Sequence, residues 1–329
     1  MGRYLSLICS AGFFCAIIIV SGLYYFLYKY SVSSIIEQEK IVVIPSGSSL
    51  KKISAILDDN EVINYPQAFT YLAWILEKEQ KIKAGEYKFN PGETPRDIID
   101  RLSSGDILVH YLTIPEGLMT SQILQIISQT DNLSGELPDN IKEGSMLPET
   151  YDYRLGDTKK MMVKRMQSAM SKFIDERWEE RAENLPIKTK EEAIILASIV
   201  EKETGVPQER GRVASVFINR MQKKMRLQTD PSVIYGITKG EYVLERQLRK
   251  KDLNEVTPYN TYRKSGLPPG PISNPGKDAI IAVLNPPKTN DIYFVADGVT
   301  GGHRFSTNLR DHNNNVNKLR KVERQRREN

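Results

Sequence analysis

The N-terminal segment constrains this chain more than any other feature, because residues 4–28 contain no charged side chain. A helix of about 20 apolar residues is long enough to cross a bilayer, so the segment has the required length. Tyrosines cluster at its far end, as expected at a membrane surface (Tyr24, Tyr25 and Tyr28). A cleaved signal peptide has a shorter apolar core and a small-residue cleavage site. We therefore predict an uncleaved transmembrane anchor over residues 4–28.

The anchor also predicts where the rest of the chain lies. Only residues 1–3 precede it, and so short a stub is most simply left in the cytoplasm. Arg3 and Lys29 flank the two ends of the span, so the positive-inside rule decides the orientation only weakly. We expect a single-pass protein of the inner (plasma) membrane whose remaining residues lie on the periplasmic, extracytoplasmic side.

Composition excludes several classes of protein. The chain has 329 residues, 40% of them hydrophobic, which suffices for two or three folded domains. Its two cysteines, Cys9 and Cys15, lie inside the apolar run, so no disulfide can form in the rest of the chain. No zinc-type Cys/His spacing or phosphate-binding glycine loop occurs, and we predict neither a metal ion nor a cofactor.

The net charge of +5 comes largely from the last dozen residues. A basic tail over residues 323–329 could contact nucleic acid or anionic lipid. A solvated, frayed helix end has the same composition. We favour the solvated end and predict no nucleic-acid partner.

A strand, a turn and a helix recur three times over residues 41–130, after a linker over residues 29–40. The first unit has an apolar strand at 41–44, a Pro-Ser-Gly turn and then helical periodicity. The second begins at Tyr87 and the third at Leu112. We expect small β–α modules packed side by side.

These units resemble LysM modules, which bind polymers containing N-acetylglucosamine. A plain α+β scaffold that orients the next domain would show the same pattern, so both interpretations stay open. A bridging segment follows over residues 131–190. Its first part is rich in Gly, Pro and Asp and predicts a loop with little regular structure. A long helix with methionines at core spacing is then predicted over 157–181.

An apolar helix that ends on two acids is the main catalytic candidate. Thr189 and Glu192 form a capping-box pattern, and the run AIILASIV that follows is apolar on every face, so the helix is predicted to be central. Glu201 and Glu203 close it, and helical spacing does not choose between them. Burial raises the pKa of a carboxyl and would let it donate a proton near neutral pH.

A structural ion pair is an equally good explanation of these acids. Several arginines follow closely enough to pair with Glu201. They are Arg210, Arg212, Arg220 and Arg226.

Proline-rich loops downstream carry more polar and aromatic groups than a core needs. Sugars offer hydroxyls for hydrogen bonding and apolar ring faces for stacking, so these groups suit a sugar site. The candidate cleft residues are Gln228, Thr229, Asp230, Tyr259, Asn260, Thr261 and Tyr262. Ordinary loop architecture is the alternative for each.

Four long motifs in this order resemble the YceG-like endolytic murein transglycosylases. They are IVEKETGVPQERGRVASVFINRM, LQTDPSVIYG, PYNTYRKSGLPPGPISNPG and YFVADGVTGGHRFSTNLRDHN. The resemblance extends over the anchor, the LysM-like region, the LPETY segment and a C-terminal catalytic domain over residues 191–322. It implies an α+β fold, consisting of a transmembrane helix, LysM-like β–α modules and a mixed α+β catalytic domain.

The resemblance also implies an activity. The family cleaves the β-1,4 bond between N-acetylmuramic acid and N-acetylglucosamine within nascent peptidoglycan, and the muramic 6-hydroxyl attacks C1 to leave a 1,6-anhydro end. One carboxyl then acts as acid and afterwards as base, and the family motif assigns this role to Glu201. Glu203 becomes a supporting residue in substrate binding. In the cleft that the resemblance implies, Asn260 or Gln228 would hold an N-acetyl group, and Tyr259 or Tyr262 would stack on a sugar ring. The implied partners are peptidoglycan strands and the synthesis machinery, including penicillin-binding proteins, and the implied outcome is limited strand elongation.

Two rival functions remain. The chain could be a membrane-tethered peptidoglycan-binding protein without catalysis, in which Glu201 is structural. A lyase acting on aminodeoxychorismate, a label that the family has carried, would need pyridoxal phosphate on a lysine. No lysine stands in a recognisable setting for that cofactor, and the anchor argues against a cytoplasmic site.

Overall fold

The computed structural model describes the backbone of residues 2–328 and the side chains of residues 12–326. Met1, Asn329, the side chains of the first part of the predicted anchor, with Cys9, and those of the last basic residues lie outside the described residues. The chain divides into two compact units, Met1–His110 and Tyr111–Asn329. Both combine helices with two-stranded sheets, which confirms the α+β class at this level.

The first unit begins with a long apolar helix. Its elements are α1 (Gly2–Ser31), β1 (Lys40–Ile44), α2 (Leu50–Asp59), α3 (Pro66–Ile75), β2 (Gly85–Phe89) and α4 (Pro95–Ser104). Within the described residues, one stretch is long and apolar enough to cross a membrane, Gly12–Ser31. Apolar side chains there, such as Phe14 and Val20, are exposed, so no protein core accounts for their hydrophobicity.

A single core joins the first two predicted β–α units. Strands β1 and β2 pair antiparallel, with Lys40 opposite Phe89 and Ile44 opposite Gly85. Ser49 caps α2, and Thr94 and Asp97 form a capping box at α4, as such residues do at helix starts. Apolar faces of the helices pack on the sheet around Phe69, Tyr87 and Ile98.

The third β–α unit does not belong to this core, which corrects the expectation of three modules side by side. From Tyr111 onwards it lies in the second unit of the chain. The elements from this boundary up to α6 are β3 (His110–Thr113), α5 (Thr120–Gln129), β4 (Thr150–Tyr153) and α6 (Lys159–Glu179). Strand β3 pairs with β4, and α5 shares a core with α6 through residues such as Ile123 and Met166. Strand β4 was predicted as loop, because its four residues are too few and too polar to show a strand pattern.

The predicted central helix forms the middle of the second unit. The remaining elements are α7 (Lys190–Glu203), α8 (Arg210–Gln222), α9 (Asp230–Thr238), α10 (Lys250–Asn254), α11 (Lys277–Leu284), β5 (Tyr293–Ala296), β6 (His303–Ser306) and α12 (Leu309–Glu328). Thr189 caps α7, whose side chains from Ala193 to Val200 are buried against α8 and α11, except for the half-buried Ile194. This packing fixes the end of α7, where both acids lie.

Candidate active site

Glu201 lies in the last turn of α7 with its carboxyl almost enclosed, since only 6% of the side chain is exposed. Its Oε2 accepts a 2.9 Å hydrogen bond from the backbone N–H of Gly276, the residue that precedes α11. Its Oε1 lies 3.3 Å from Nη2 of Arg210, the first residue of α8. Both oxygens therefore have a fixed donor, which orients the carboxyl towards α8 and α11.

Arg210 binds three carboxylates at once. Besides Glu201, its Nη2 lies 3.5 Å from Glu116 and its Nη1 3.2 Å from Asp278. Its side chain is 9% exposed, whereas those of Glu116 and Asp278 are 42% and 70% exposed. The predicted ion pair between Glu201 and an arginine is therefore present. Its arginine, Arg210, also pairs with two further acids.

This environment raises the pKa of Glu201 above its usual value. Burial is the main cause, because it disfavours the charged form. The Gly276 N–H and the Arg210 guanidinium oppose the rise, while the negative charges of Glu116 and Asp278 add to it. The carboxyl can therefore hold a proton at a higher pH than an exposed glutamate, as a general acid requires.

Two glycines let the surrounding loops pack closely against the carboxyls of Glu116 and Glu201. A Cβ at Gly276 would lie 1.8 Å from Oε1 of Glu116, and a Cβ at Gly117 would lie 3.3 Å from Cγ of Glu201. Gly117 has a φ of +74°, which also disfavours any side chain there. Backbone hydrogen bonds hold the two loops together, from Gly117 to the carbonyl of Asn274 and from Asn274 to that of Leu118.

Glu203 faces a different set of residues, on the side of α7 nearer to α9. Burial raises its pKa to about 7, and the negative charge of Asp230 adds to the rise. The Thr229 hydroxyl lies beside Glu203 and opposes the rise in its pKa, as do the nearby His303 and Arg220 side chains. Glu203 is thus a second carboxyl able to hold a proton near neutral pH.

Several predicted cleft residues gather around Glu203. The Tyr262 hydroxyl donates a 2.7 Å hydrogen bond to Asp230, and burial raises the pKa of Tyr262. Gln228, exposed with a left-handed φ of +54°, accepts a 3.4 Å hydrogen bond from Arg220. The described contacts of Glu201 run instead to the Arg210 cluster.

Asn260 and Thr261 are engaged in holding the loop. Asn260 is fully buried; its amide donates to three backbone carbonyls and its oxygen accepts the N–H of Tyr262. The Thr261 hydroxyl, also buried, bonds to Ser232 and to the backbone of Thr229. The loop alternative fits these two residues better than contact with a sugar, since their polar groups are already paired.

A third acid whose carboxyl is largely buried, and which the sequence did not single out, lies near Tyr259. The Tyr259 ring packs 4.9 Å from that of Tyr235, whose hydroxyl bonds to Glu143. Glu143 also accepts hydrogen bonds from Thr120 and Asn274, and burial raises its pKa. Since Asn274 is two residues before Gly276, this network helps to fix the loop that binds Glu201.

Glu116, Asp278 and Glu143 were missed because no local pattern marks them. Glu116 lies in the Pro-Glu-Gly turn of the third β–α unit, where an acid is unremarkable. Over residues 12–326, no group of three or more His, Cys, Asp and Glu side chains is arranged to hold a metal ion. The chemistry that these side chains can perform themselves is proton transfer.

Fold and site thus define an α+β protein with an enclosed carboxyl, paired with Arg210, at the end of a buried helix. The model of the YceG-like family matches residues 42–318. The "Endolytic murein transglycosylase" of Bacillus subtilis is 34% identical, over 88% of both chains. The "Endolytic murein transglycosylase" of Streptococcus pneumoniae is 27% identical. The match covers 89% of this chain and 61% of the Streptococcus protein. This chain belongs to the YceG-like family.

A solved structure has a similar fold. The crystal structure of a yceG-like protein from Listeria monocytogenes is 30% identical in sequence and has a TM-score of 0.50. The match covers 85% of this chain and 99% of the Listeria chain. It supports the mixed helix-and-sheet architecture.

Proposed function

We propose that this chain is a membrane-anchored endolytic murein transglycosylase. It would cleave the β-1,4 bond between N-acetylmuramic acid and N-acetylglucosamine inside peptidoglycan strands and leave 1,6-anhydro ends. The family match and the names of the relatives support the activity. The single observation that carries the mechanism is the enclosed carboxyl of Glu201 between Arg210 and the Gly276 N–H.

In the first step, Glu201 acts as general acid. Its proton passes to the glycosidic oxygen as the bond between that oxygen and C1 of the muramic acid breaks, so the N-acetylglucosamine leaves with a free 4-hydroxyl. The raised pKa of Glu201 supports this role. When Oε1 of Glu201 is protonated, the Arg210 guanidinium can give up its contact with that oxygen, because Glu116 and Asp278 still pair with the guanidinium.

In the second step, the Glu201 carboxylate acts as base. It takes the proton from the muramic 6-hydroxyl as that oxygen bonds to C1, and the carboxyl is protonated again for the next cycle. The Gly276 N–H and the Arg210 guanidinium stabilise the carboxylate between the steps. Because the substrate supplies the nucleophile, a second carboxylate nucleophile is not needed.

The substrate would extend from the Glu201 carboxyl to the Glu203 side of α7. Tyr262, Asp230, Gln228 and Thr229 offer polar and aromatic groups there, with Glu203 as a supporting residue. Tyr259 offers a ring nearby, whereas Asn260 and Thr261 support the loop. The proposal is completed by three further roles. The β–α units within residues 41–130, which the two compact units of the chain share, would bind glycan as LysM-like modules do. Residues 131–190 would form the bridge and residues 191–322 the catalytic domain.

The cellular setting follows from α1. The apolar helix anchors the chain in the inner (plasma) membrane, with residues 1–3 in the cytoplasm and both units on the extracytoplasmic side. There the enzyme meets nascent strands and the synthesis machinery, including penicillin-binding proteins, and limits strand elongation. A phosphatase fused to the C-terminus would be active if this orientation is right, and inactive though expressed if it is wrong.

Digestion of purified peptidoglycan tests the activity. Mass spectrometry of the products should find internal fragments with anhydro ends, each lighter by one water than a hydrolysis product. Reducing ends would indicate a hydrolase instead. Binding of strands without any cleavage would favour the non-catalytic, peptidoglycan-binding alternative.

A further inference from the structure

Helix α3 presents an exposed aromatic stripe in the first unit. Tyr71, Trp74 and Ile75 are 63%, 66% and 55% exposed. Their spacing of three and four residues puts them on one face of the helix. The opposite face, with Phe69 and Leu72, is buried in the core of the unit. A soluble surface rarely exposes such side chains together without a partner.

The same helix starts against the end of the apolar helix α1. Tyr65, directly before α3, packs edge-on against two rings of α1, with centroid distances of 5.8 Å to Phe26 and 6.4 Å to Tyr30. Both rings belong to the stretch that is long enough to cross a membrane. Since α3 has ten residues, all of it lies within about 15 Å of this contact.

An open cavity adjoins the stripe. Its volume is about 370 Å³, and it is lined by Leu50, Thr70, Tyr71, Trp74 and Glu79. Lys51 and Lys52 follow Leu50 on α2 and are exposed. A surface that carries exposed aromatic side chains and, on the neighbouring helix, exposed lysines suits a phospholipid headgroup region, because rings enter the interface and ammonium groups meet the phosphates.

We propose that the aromatic stripe of α3 is a second membrane contact, which lies in the headgroup region of the bilayer that α1 crosses. The inference rests on the proposed anchoring by α1. Tyr and Trp favour this region because their rings are apolar while their O–H and N–H groups remain hydrated. The contact would hold the first unit flat on the membrane.

A sugar ring could also stack on these aromatics, but the continuity with α1 favours lipid. Tyr65 meets α1 at Phe26, within the apolar stretch, so the start of α3 lies at the depth of the membrane surface. A glycan strand held at that depth would have to displace the headgroups. The two occupants are separated by the experiment below.

The chain has two tryptophans, Trp74 and Trp178, which makes the stripe directly measurable. Full-length Trp178→Phe protein is assembled into lipid nanodiscs, where Trp74 is the fluorophore. Phospholipids brominated on the acyl chains quench tryptophan within contact distance. We expect loss of Trp74 emission, and a larger loss with bromines near the headgroup than near the chain ends.

Trp74→Phe protein is the reference, because Trp178 packs under the Arg181 guanidinium and against the core of the second unit. If the brominated lipids quench the emission of Trp74 no more than that of Trp178, the inference is wrong. An unquenched Trp74 whose emission shifts when an oligomer of β-1,4-linked N-acetylglucosamine is added would also overturn it. If the protein does not co-purify with the nanodiscs, the proposed anchoring by α1 is wrong. This outcome is distinct from the two fluorescence results, which test the α3 contact alone.

Discussion

The N–H of Gly276 donates a 2.9 Å hydrogen bond to the carboxyl of Glu201, although the two residues are 75 positions apart. The loop before α11 thereby fixes the end of α7. Arg210 binds the other oxygen of the same carboxyl. The proposed mechanism depends on this arrangement, because one carboxyl must give a proton and take one back from a constant position.

Glu116→Gln should move the pH dependence of activity. Removing a negative charge beside Glu201 lowers the pKa of Glu201, so the proton is lost at lower pH. The alkaline limb of the kcat/KM profile, which reports the essential acid, should therefore shift to lower pH. Asp278→Asn is the matched control and should shift the limb less, because Asp278 is more exposed and water screens its charge. An unmoved limb, or a shift to higher pH, would contradict the role of Glu116.

Gly276→Ala should act through Glu116. The added Cβ would overlap the Glu116 carboxyl, whose flexible side chain can rotate into solvent and leave Arg210. We expect the same shift of the alkaline limb with little change in the urea unfolding midpoint. In a Glu116→Ala background the overlapping atoms are absent, so adding Gly276→Ala should shift the limb no further. Additive shifts would show that the glycine acts independently of Glu116.

Asn260→Ala should destabilise the fold. The substitution leaves buried carbonyls and a buried N–H without partners, which costs about 3 kcal/mol of unfolding free energy. Tyr262→Phe removes only the hydrogen bond to the exposed Asp230 and should cost less than about 1 kcal/mol. Both values come from urea unfolding. A stable Asn260→Ala protein that loses substrate binding would instead restore the N-acetyl contact predicted from the sequence.

Local patterns explain what the sequence could predict. The cap at Thr189 and the apolar run after it specify α7, because helix signals lie within a few residues of one another. The ion pair was predicted as a choice among arginines, and the structure selects Arg210. Glu116 could not be assigned to the site from the sequence, because it lies 94 positions from Arg210 and the two side chains are brought into contact only by the packing of loops.

The polar loop residues show what composition alone cannot predict. Asn260 has the side chain of a ligand-binding residue, yet its hydrogen bonds are all used by neighbouring backbone groups. Composition records that a polar group is present but not whether it is already paired. The antiparallel pairing of β1 with β2 was likewise beyond a local reading, because a repeated strand–turn–helix outline does not specify strand partners.

The assignment of catalysis to Glu201 rather than Glu203 is the central claim, and parallel digestion of peptidoglycan by two variants tests it. Glu201→Gln keeps the size of the side chain but removes the transferable proton, and should lower the rate of anhydro-end formation by a factor of about 10³ or more. Glu203→Gln should retain cleavage, and Glu191→Gln, at an exposed site on the same helix, should match the wild type. Anhydro ends formed at the wild-type rate by Glu201→Gln, or lost only in Glu203→Gln, would contradict the account.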